Sequence, residues 1–273
     1  MDVAVLMLVG GVGVGIFGSL LGLGGGLLIV PLLTLGFHLP LREAIGVSLV
    51  CVIVTSSASA SVFLERRVAN LRLGMTLELF TAIGALLGGM IAFLLDERIL
   101  AALFAVLLTY VALTMLRPRS APEPDETVAP AEPGTAAPTF LARLSGPGYR
   151  VRNLGPGVVG SVFAGVASAL LGIGGGLIKV PVLHVVMGVP LRIATATSNL
   201  VIGITASTSA WIYLLRGGID PYAAGPTAIG VFVGASIGSR IAHRVELRTL
   251  RLLFTAVLLY TAFQMIRRAA GIQ

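Results

Sequence analysis

Leu20-Leu21-Gly22-Leu23-Gly24-Gly25-Gly26-Leu27 and Leu170-Leu171-Gly172-Ile173-Gly174-Gly175-Gly176-Leu177 are the same eight-residue stretch with a single change, 150 residues apart. Outward from it the match continues without a gap. Val30-Pro31 falls on Val180-Pro181, and Pro40-Leu41-Arg42 on Pro190-Leu191-Arg192. Ser48 falls on Ser198, Thr55 on Thr205, and Ser57 and Ser59 on Ser207 and Ser209. Gly84-Ala85 and Gly88 fall on Gly234-Ala235 and Gly238, and Tyr110 on Tyr260. About a third of the positions from Leu20 to Arg117 are identical, well above chance for this composition. The chain therefore reads as two copies of one unit: residues 1–117, a linker at 118–153, and residues 154–273.

The composition says where such a unit lives. Of 273 residues, 56% are hydrophobic and another 35 are glycine; 11% are charged and the mean hydropathy is +0.98. A water-soluble domain carries about a quarter charged residues, so a soluble core and a disordered chain are both excluded. One cysteine, Cys51, leaves no internal disulfide and no Cys-rich metal site. Charge-free runs extend from Val3 to Leu41, Ala44 to Leu64, Ile99 to Leu116 and Leu154 to Ile178. Others run from Ile193 to Leu215, Pro221 to Ser239 and Leu252 to Ile266, and Leu73–Leu95 is interrupted only by Glu78. About 20 apolar residues span a bilayer as a helix, and none of these runs alternates as a barrel strand would. The expected class is an all-α integral membrane protein: two homologous repeats, about 8–10 helices in all. Met1-Asp2 offers no basic n-region, so the first run reads as a retained helix rather than a cleaved signal.

Between Pro118 and Pro138 lie six of the fourteen prolines, with Glu123, Asp125, Glu126 and Glu132. That stretch reads as an extended linker, followed by basic Arg143, Arg150 and Arg152. The run from Val3 to Leu41 is too long for one straight crossing, and Gly22–Gly26 is where it would break. A re-entrant or double pass gives five crossings per half; one long crossing with a broken end gives four. With five and an external N-terminus, about 13 positive residues face the cytoplasm against 5; with four and an internal one, about 11 against 7. The five-crossing threading is preferred, and it makes the repeats inverted. Either way the linker is cytoplasmic.

Duplicated halves with Gly/Pro-interrupted segments in matching places mark secondary transporters. Gly22, Gly24, Gly25 and Gly26, with Gly172, Gly174, Gly175 and Gly176, can expose backbone N–H groups beside a helix start and so receive an anion without an arginine. Close helix packing is the competing role for the same glycines. Ser48, Ser198 and Asn199 are candidate substrate contacts, with Thr55 and Thr205 behind them; hydroxyls donate to an oxyanion without burying a charge, or bond their own helix. Lys179, the only lysine, lies inside an apolar run where the first copy has Ile29. It reads as a substrate contact or counter-charge, or as a snorkelling side chain. Glu78 is the one carboxylate within a crossing and a candidate proton relay, unless it lies by the headgroups. His38 and His184 do not match across the copies and have no second ligand at helical spacing, so no metal or cofactor is expected. Gly13–Gly18 fits GxGxxG without a preceding strand, and Gly234–Gly238 fits GxSxG. The second shares only its GxxxG spacing with Gly84–Gly88, so Ser236 is incidental. The net charge of +7 is spread over short loops, which suits orientation and anionic headgroups rather than nucleic acid.

The twin GxGGG…P segments, each followed by Pro-Leu-Arg and an A-x-x-x-S helix start, resemble the sulfite exporter TauE/SafE family of membrane permeases. The residues carrying the resemblance are Gly22, Gly24–Gly26, Pro31, Ala44 and Ser48, and again Gly172, Gly174–Gly176, Pro181, Ala194 and Ser198. It covers nearly the whole chain except the linker, which is longer and richer in proline than the family leads one to expect. The resemblance implies a multi-pass permease of the inner or plasma membrane for sulfite or related organosulfur anions. The expected function is thus a secondary transporter for a small anion, with H+ or Na+ as the alternatives for a coupling ion and the bilayer as its other partner. A homo-oligomer is compatible with the sequence. The rival readings are an anion channel and a non-transporting scaffold; no matched acid, base and nucleophile supports an enzyme.

Overall fold

The computed structural model describes residues 2–20, 26–65, 69–116, 144–146, 149–241 and 247–271. Gly22, Gly24, Gly25 and linker residues 118–143 and 147–148 lie outside the described residues. The first half comprises α1 (Val3–Leu20), α2 (Gly26–Pro31), α3 (Leu41–Glu65), α4 (Leu71–Leu94) and α5 (Glu97–Leu116). The second comprises α6 (Leu154–Leu171), α7 (Gly176–Pro181), α8 (Leu191–Leu215), α9 (Pro221–Ile241) and α10 (Leu247–Ala269). Five of these, α1, α4, α5, α6 and α8, are long and apolar enough to cross a membrane. The described chain is all-α apart from one isolated bridge between Gly146 and Tyr149. Its outer surface suits lipid: Leu79, Val106, Phe163 and Leu215 are each more than 60% exposed.

The long apolar runs are hairpins rather than straight helices. α2 and α7 each pass through a five-residue π-helical stretch, Leu32–Gly36 and Val182–Val186, immediately after a proline. Proline has no N–H to give and crowds the carbonyl four residues back, so the ladder widens there. In the first copy the Thr34 hydroxyl donates to the Val30 carbonyl, 2.8 Å, and supplies part of what is lost. Each short helix returns along its long neighbour. Gly10 faces Leu32, Gly160 faces Val182, and Gly157 faces Met187. In the second copy the turn is made by Gly172, Gly174 and Gly175, at φ +69°, +74° and +79°, where a Cβ is disfavoured.

The two halves interlock by exchange. α1 packs on α9, and α4 packs on α6; α3 packs on α8, and α5 on α10. Swapping the halves leaves this list unchanged. The first two contacts are close because they are lined with glycine. A Cβ on Gly84 would stand 2.1 Å from the Val162 carbonyl oxygen, and one on Gly234 would stand 2.1 Å from that of Val12. The GxxxG spacings are therefore helix-contact surfaces. Ser236 is exposed and bonds the Phe232 carbonyl of its own helix, 2.8 Å. Helices α3 and α8 run antiparallel. Gly46, early in α3, abuts the Gly218 carbonyl just beyond α8, while the Ser56 hydroxyl late in α3 donates to the Asn199 carbonyl early in α8, 3.3 Å.

Polar side chains tie the helix ends together. At one end the Arg42 guanidinium donates to the Leu95 carbonyl, and Arg42 and Arg216 each lie 5.9 Å from the Phe93 ring centre. Arg268 pairs with Glu97 at the same end, 3.5 Å. At the other end Asn70 caps α4 by accepting from the Leu73 N–H, 3.1 Å. The Asn70 N–H donates to Thr197 Oγ1, 2.9 Å, and its amide donates to the Leu144 carbonyl, 2.8 Å, and the Tyr149 hydroxyl, 2.6 Å. Partial burial holds the Tyr149 phenol above the usual tyrosine range, with the Asn70 hydrogen bond opposing it.

Candidate functional site

The glycine segments of the two halves meet at the centre through one side chain. Ser48, fully buried on α3, places its Oγ 2.7 Å from the Gly172 carbonyl and 3.1 Å from that of Gly26. A Cβ on Gly26 would lie 3.2 Å from the Gly172 oxygen and 2.6 Å from Val52, so neither segment has room for a side chain there. Sequence put Ser48 near substrate; its hydroxyl is engaged by the backbone of both broken segments.

Its counterpart behaves differently. Ser198 on α8 is fully buried, and its Oγ has no hydrogen-bond partner among the described residues. Ser168 on α6 is in the same condition. Both flank one short piece of backbone: a Cβ on Gly175 would lie 3.4 Å from the Ser168 Cβ, and one on Gly176 would lie 3.7 Å from Ser198 Oγ. A buried hydroxyl without a partner costs about 1–3 kcal/mol, which two such groups side by side make conspicuous. Asn199, the neighbouring candidate, is half-buried, and its backbone carbonyl takes the Ser56 bond.

One turn further, the two intramembrane charges come together. Lys179 on α7 is 3% exposed and Glu78 on α4 is 2% exposed. The Lys179 ammonium donates to Glu78 Oε2 and also to Thr205 Oγ1, 3.0 Å. Thr205, on α8, donates in turn to Glu78 Oε1, 2.5 Å. Sequence singled out the two charges separately, as counter-charge and as proton relay, and set Thr205 among the hydroxyls. The structure closes the three into one network that bridges the halves. Both charges are buried and paired with each other, so Lys179 does not snorkel and Glu78 does not sit by headgroups. A buried pair is a weak source of stability, whereas removing one partner costs about 3–5 kcal/mol. The equivalent positions of the other half are Ile29, Ala228 and Thr55; the first two are buried, and Thr55 donates to the Cys51 carbonyl of its own helix, 3.0 Å. The network exists once, not twice.

Five other hydroxyls bond within their own helices. Ser57, Thr195, Ser207, Thr208 and Ser209 each donate to the carbonyl four residues back. The His184 ring bonds the Val189 carbonyl through Nδ1, 2.9 Å, and His38 adopts φ +56° in the loop before α3. Among the described residues no group of three His, Cys, Asp or Glu side chains could hold a metal ion. Ser168 escaped the sequence reading because its counterpart is Gly18, so the copies gave no matched signal.

Interlocked apolar helices, broken segments meeting inside, and a charged network sealed between the halves are the build of a multi-pass membrane protein, and the family match makes it a transporter. The chain belongs to the family described as Sulfite exporter TauE/SafE, whose pattern it matches over residues 7–265. It is 25% identical over 270 residues to Probable membrane transporter protein YunE of Bacillus subtilis, covering 96% of this chain and 97% of that one. It is 26% identical to Probable membrane transporter protein MJ0441 of Methanocaldococcus jannaschii, covering 93% and 91%. A Probable membrane transporter protein of Xylella fastidiosa is 29% identical over 228 residues, covering 83% and 80%. No solved structure matches the chain.

Proposed function

We propose that the protein is a secondary carrier for a small oxyanion, sulfite or an organosulfur or other organic anion, working by alternating access between two inverted halves. The observation that carries this reading is the Lys179–Glu78–Thr205 network. An ammonium buried beside a glycine break, between helices of different halves, is a cation held where a substrate anion would cross. Ser168 and Ser198, with hydroxyls free to donate, lie about the neighbouring Gly174–Gly176 backbone and supply the oxygen-binding groups.

Opposite orientation of the halves is supported by the antiparallel run of α3 and α8 and by the exchanged helix pairs. It also gathers Arg42, Arg216 and Arg268 at one end, the sparsely positive side of the five-crossing threading. The positive-inside rule then favours a cytoplasmic linker, and the membrane proposed is the inner or plasma membrane. Export of a monovalent anion is electrically downhill by about 2.3 kcal/mol per 100 mV, and uptake needs a coupled cation.

The test is flux in proteoliposomes over sulfite, sulfoacetate, thiosulfate and simple carboxylates. Saturable flux with counter-flow is expected of a carrier. Flux that rises without saturation and shows no counter-flow makes the protein a channel, and no movement of any anion by folded protein removes the proposal.

A further inference from the structure

We infer that Glu78 couples anion movement to a proton by occupying the substrate's place on Lys179. Its carboxylate is a tethered stand-in for the anion and leaves the ammonium only on taking a proton. This rests on Lys179 being the substrate's counter-charge.

The geometry leaves little choice. A sulfonate, sulfite or carboxylate presents to an ammonium what Glu78 already presents: an anionic oxygen. Among the described residues Lys179 and Glu78 have no other ion-pair partner. Among the described residues, the elements packed around them bring no second cation into contact with the pair. α6 carries no ionisable side chain. On α8, Arg192 stands thirteen residues before Thr205, about 20 Å along the helix. Tyr213 stands eight residues after it, about 12 Å, with its hydroxyl donated to the Ala169 carbonyl. On α4 itself Arg72 lies six residues before Glu78, about 9 Å. His184, beyond α7, is engaged with Val189. An anion joining the intact pair would set two negative charges against one positive charge in a site sealed from water, which burial penalises severely. Protonation of Glu78 removes one of the two. The neutral acid can keep Thr205 as a partner, and the ammonium is released to the anion.

The cycle balances. On the loading side one proton adds to the Glu78 carboxylate and one monoanion binds Lys179. On the far side the anion leaves, the proton follows it, and the ion pair re-forms. One proton moves with each monoanion and no net charge crosses, so accumulation follows the pH gradient and ignores membrane potential.

The experiment uses proteoliposomes holding the full chain and whichever monoanion the flux screen identifies. Wild-type protein is expected to accumulate the anion towards about tenfold per unit of pH difference, unaffected by an imposed potential. Glu78→Gln carries no titratable group at 78. Whatever net flux it carries is expected to ignore the pH gradient and follow the potential. Accumulation by Glu78→Gln that still tracks the pH gradient overturns the inference, as does wild-type flux indifferent to pH. Failure of the wild type to move any anion removes the carrier reading, and the coupling with it. A second measurement needs no variant. A hydrophobic carbodiimide reacts with protonated carboxyl groups, so the transported anion should accelerate its addition to Glu78, read by mass spectrometry of the wild-type peptide. Unchanged or slowed labelling overturns the inference even where Glu78→Gln does not insert.

Discussion

Lys179→Met withdraws one of the two donors that hold the Glu78 carboxylate and leaves it sealed in the protein with Thr205 alone. Stripping one partner from a buried pair costs about 3–5 kcal/mol. Glu78→Gln is milder, because the amide oxygen still accepts from the Lys179 ammonium; a loss of about 1–3 kcal/mol is expected. In the double variant no charge is buried, and similar volumes fill the site, so stability should return to within about 1 kcal/mol of wild type. The coupling energy is then about 3 kcal/mol or more, at or above the top of the range for neighbouring side chains. At about 2–4 °C per kcal/mol, Lys179→Met should lower the Tm by about 6–20 °C, and the double variant by no more than about 4 °C. Thermal unfolding of purified protein in detergent, followed by the loss of the monodisperse gel-filtration peak, reads all four corners of the cycle. Additive losses, with the double variant as unstable as the sum of the singles, would refute the idea that the two residues form one charge-compensated unit.

Four other outcomes are expected. Gly84→Leu and Gly234→Leu each force a side chain into a carbonyl 2.1 Å from the Cβ position, so neither should give folded protein on gel filtration, while Ser236→Ala should match wild type. Ser198→Ala and Ser168→Ala remove buried hydroxyls that have no protein partner, so the Tm should hold or rise while KM for the anion increases severalfold. Gly174→Ala, at φ +74° and with Val52 and Ile202 both 2.7 Å from its Cβ position, should lose about 1–2 kcal/mol to backbone strain alone, seen as a lower Tm. With Cys51 buried and silent, a cysteine at Ala136 should resist a membrane-impermeant thiol reagent in intact cells and one at Tyr222 should react; the reverse pattern overturns the orientation.

The helix breaks were legible because they are written in residue types that act locally. A glycine run and a proline five residues on dictate a turn and a widened helix wherever they occur, and their recurrence at an offset of 150 announced the second hairpin. GxxxG read correctly as packing for the same reason: a missing Cβ means close approach whatever the partner. The site was legible only as separate candidates. Glu78 and Lys179 stand 101 residues apart, and nothing in either neighbourhood names the other. Charge inside an apolar run signals that a partner exists, but only the packing of α4 and α7 against α8 says which one. Ser48 and Ser198 look equivalent in sequence, yet one is bonded by the backbone of both halves and the other is left without a partner. That difference arises from the tertiary surroundings, to which matched residues are blind.

Ile29 stands in the first half where the second has Lys179, and Ala228 stands in the second half where the first has Glu78. A perfectly duplicated carrier would have two resting shapes of equal depth, one open to each side of the bilayer, and would work equally well reversed. In the carrier proposed above, one shape would close around a charged network and its mirror image around hydrocarbon. Two such shapes would not be isoenergetic, so the empty carrier would favour one of them, and its affinities on the two sides of the membrane would differ even with every gradient removed.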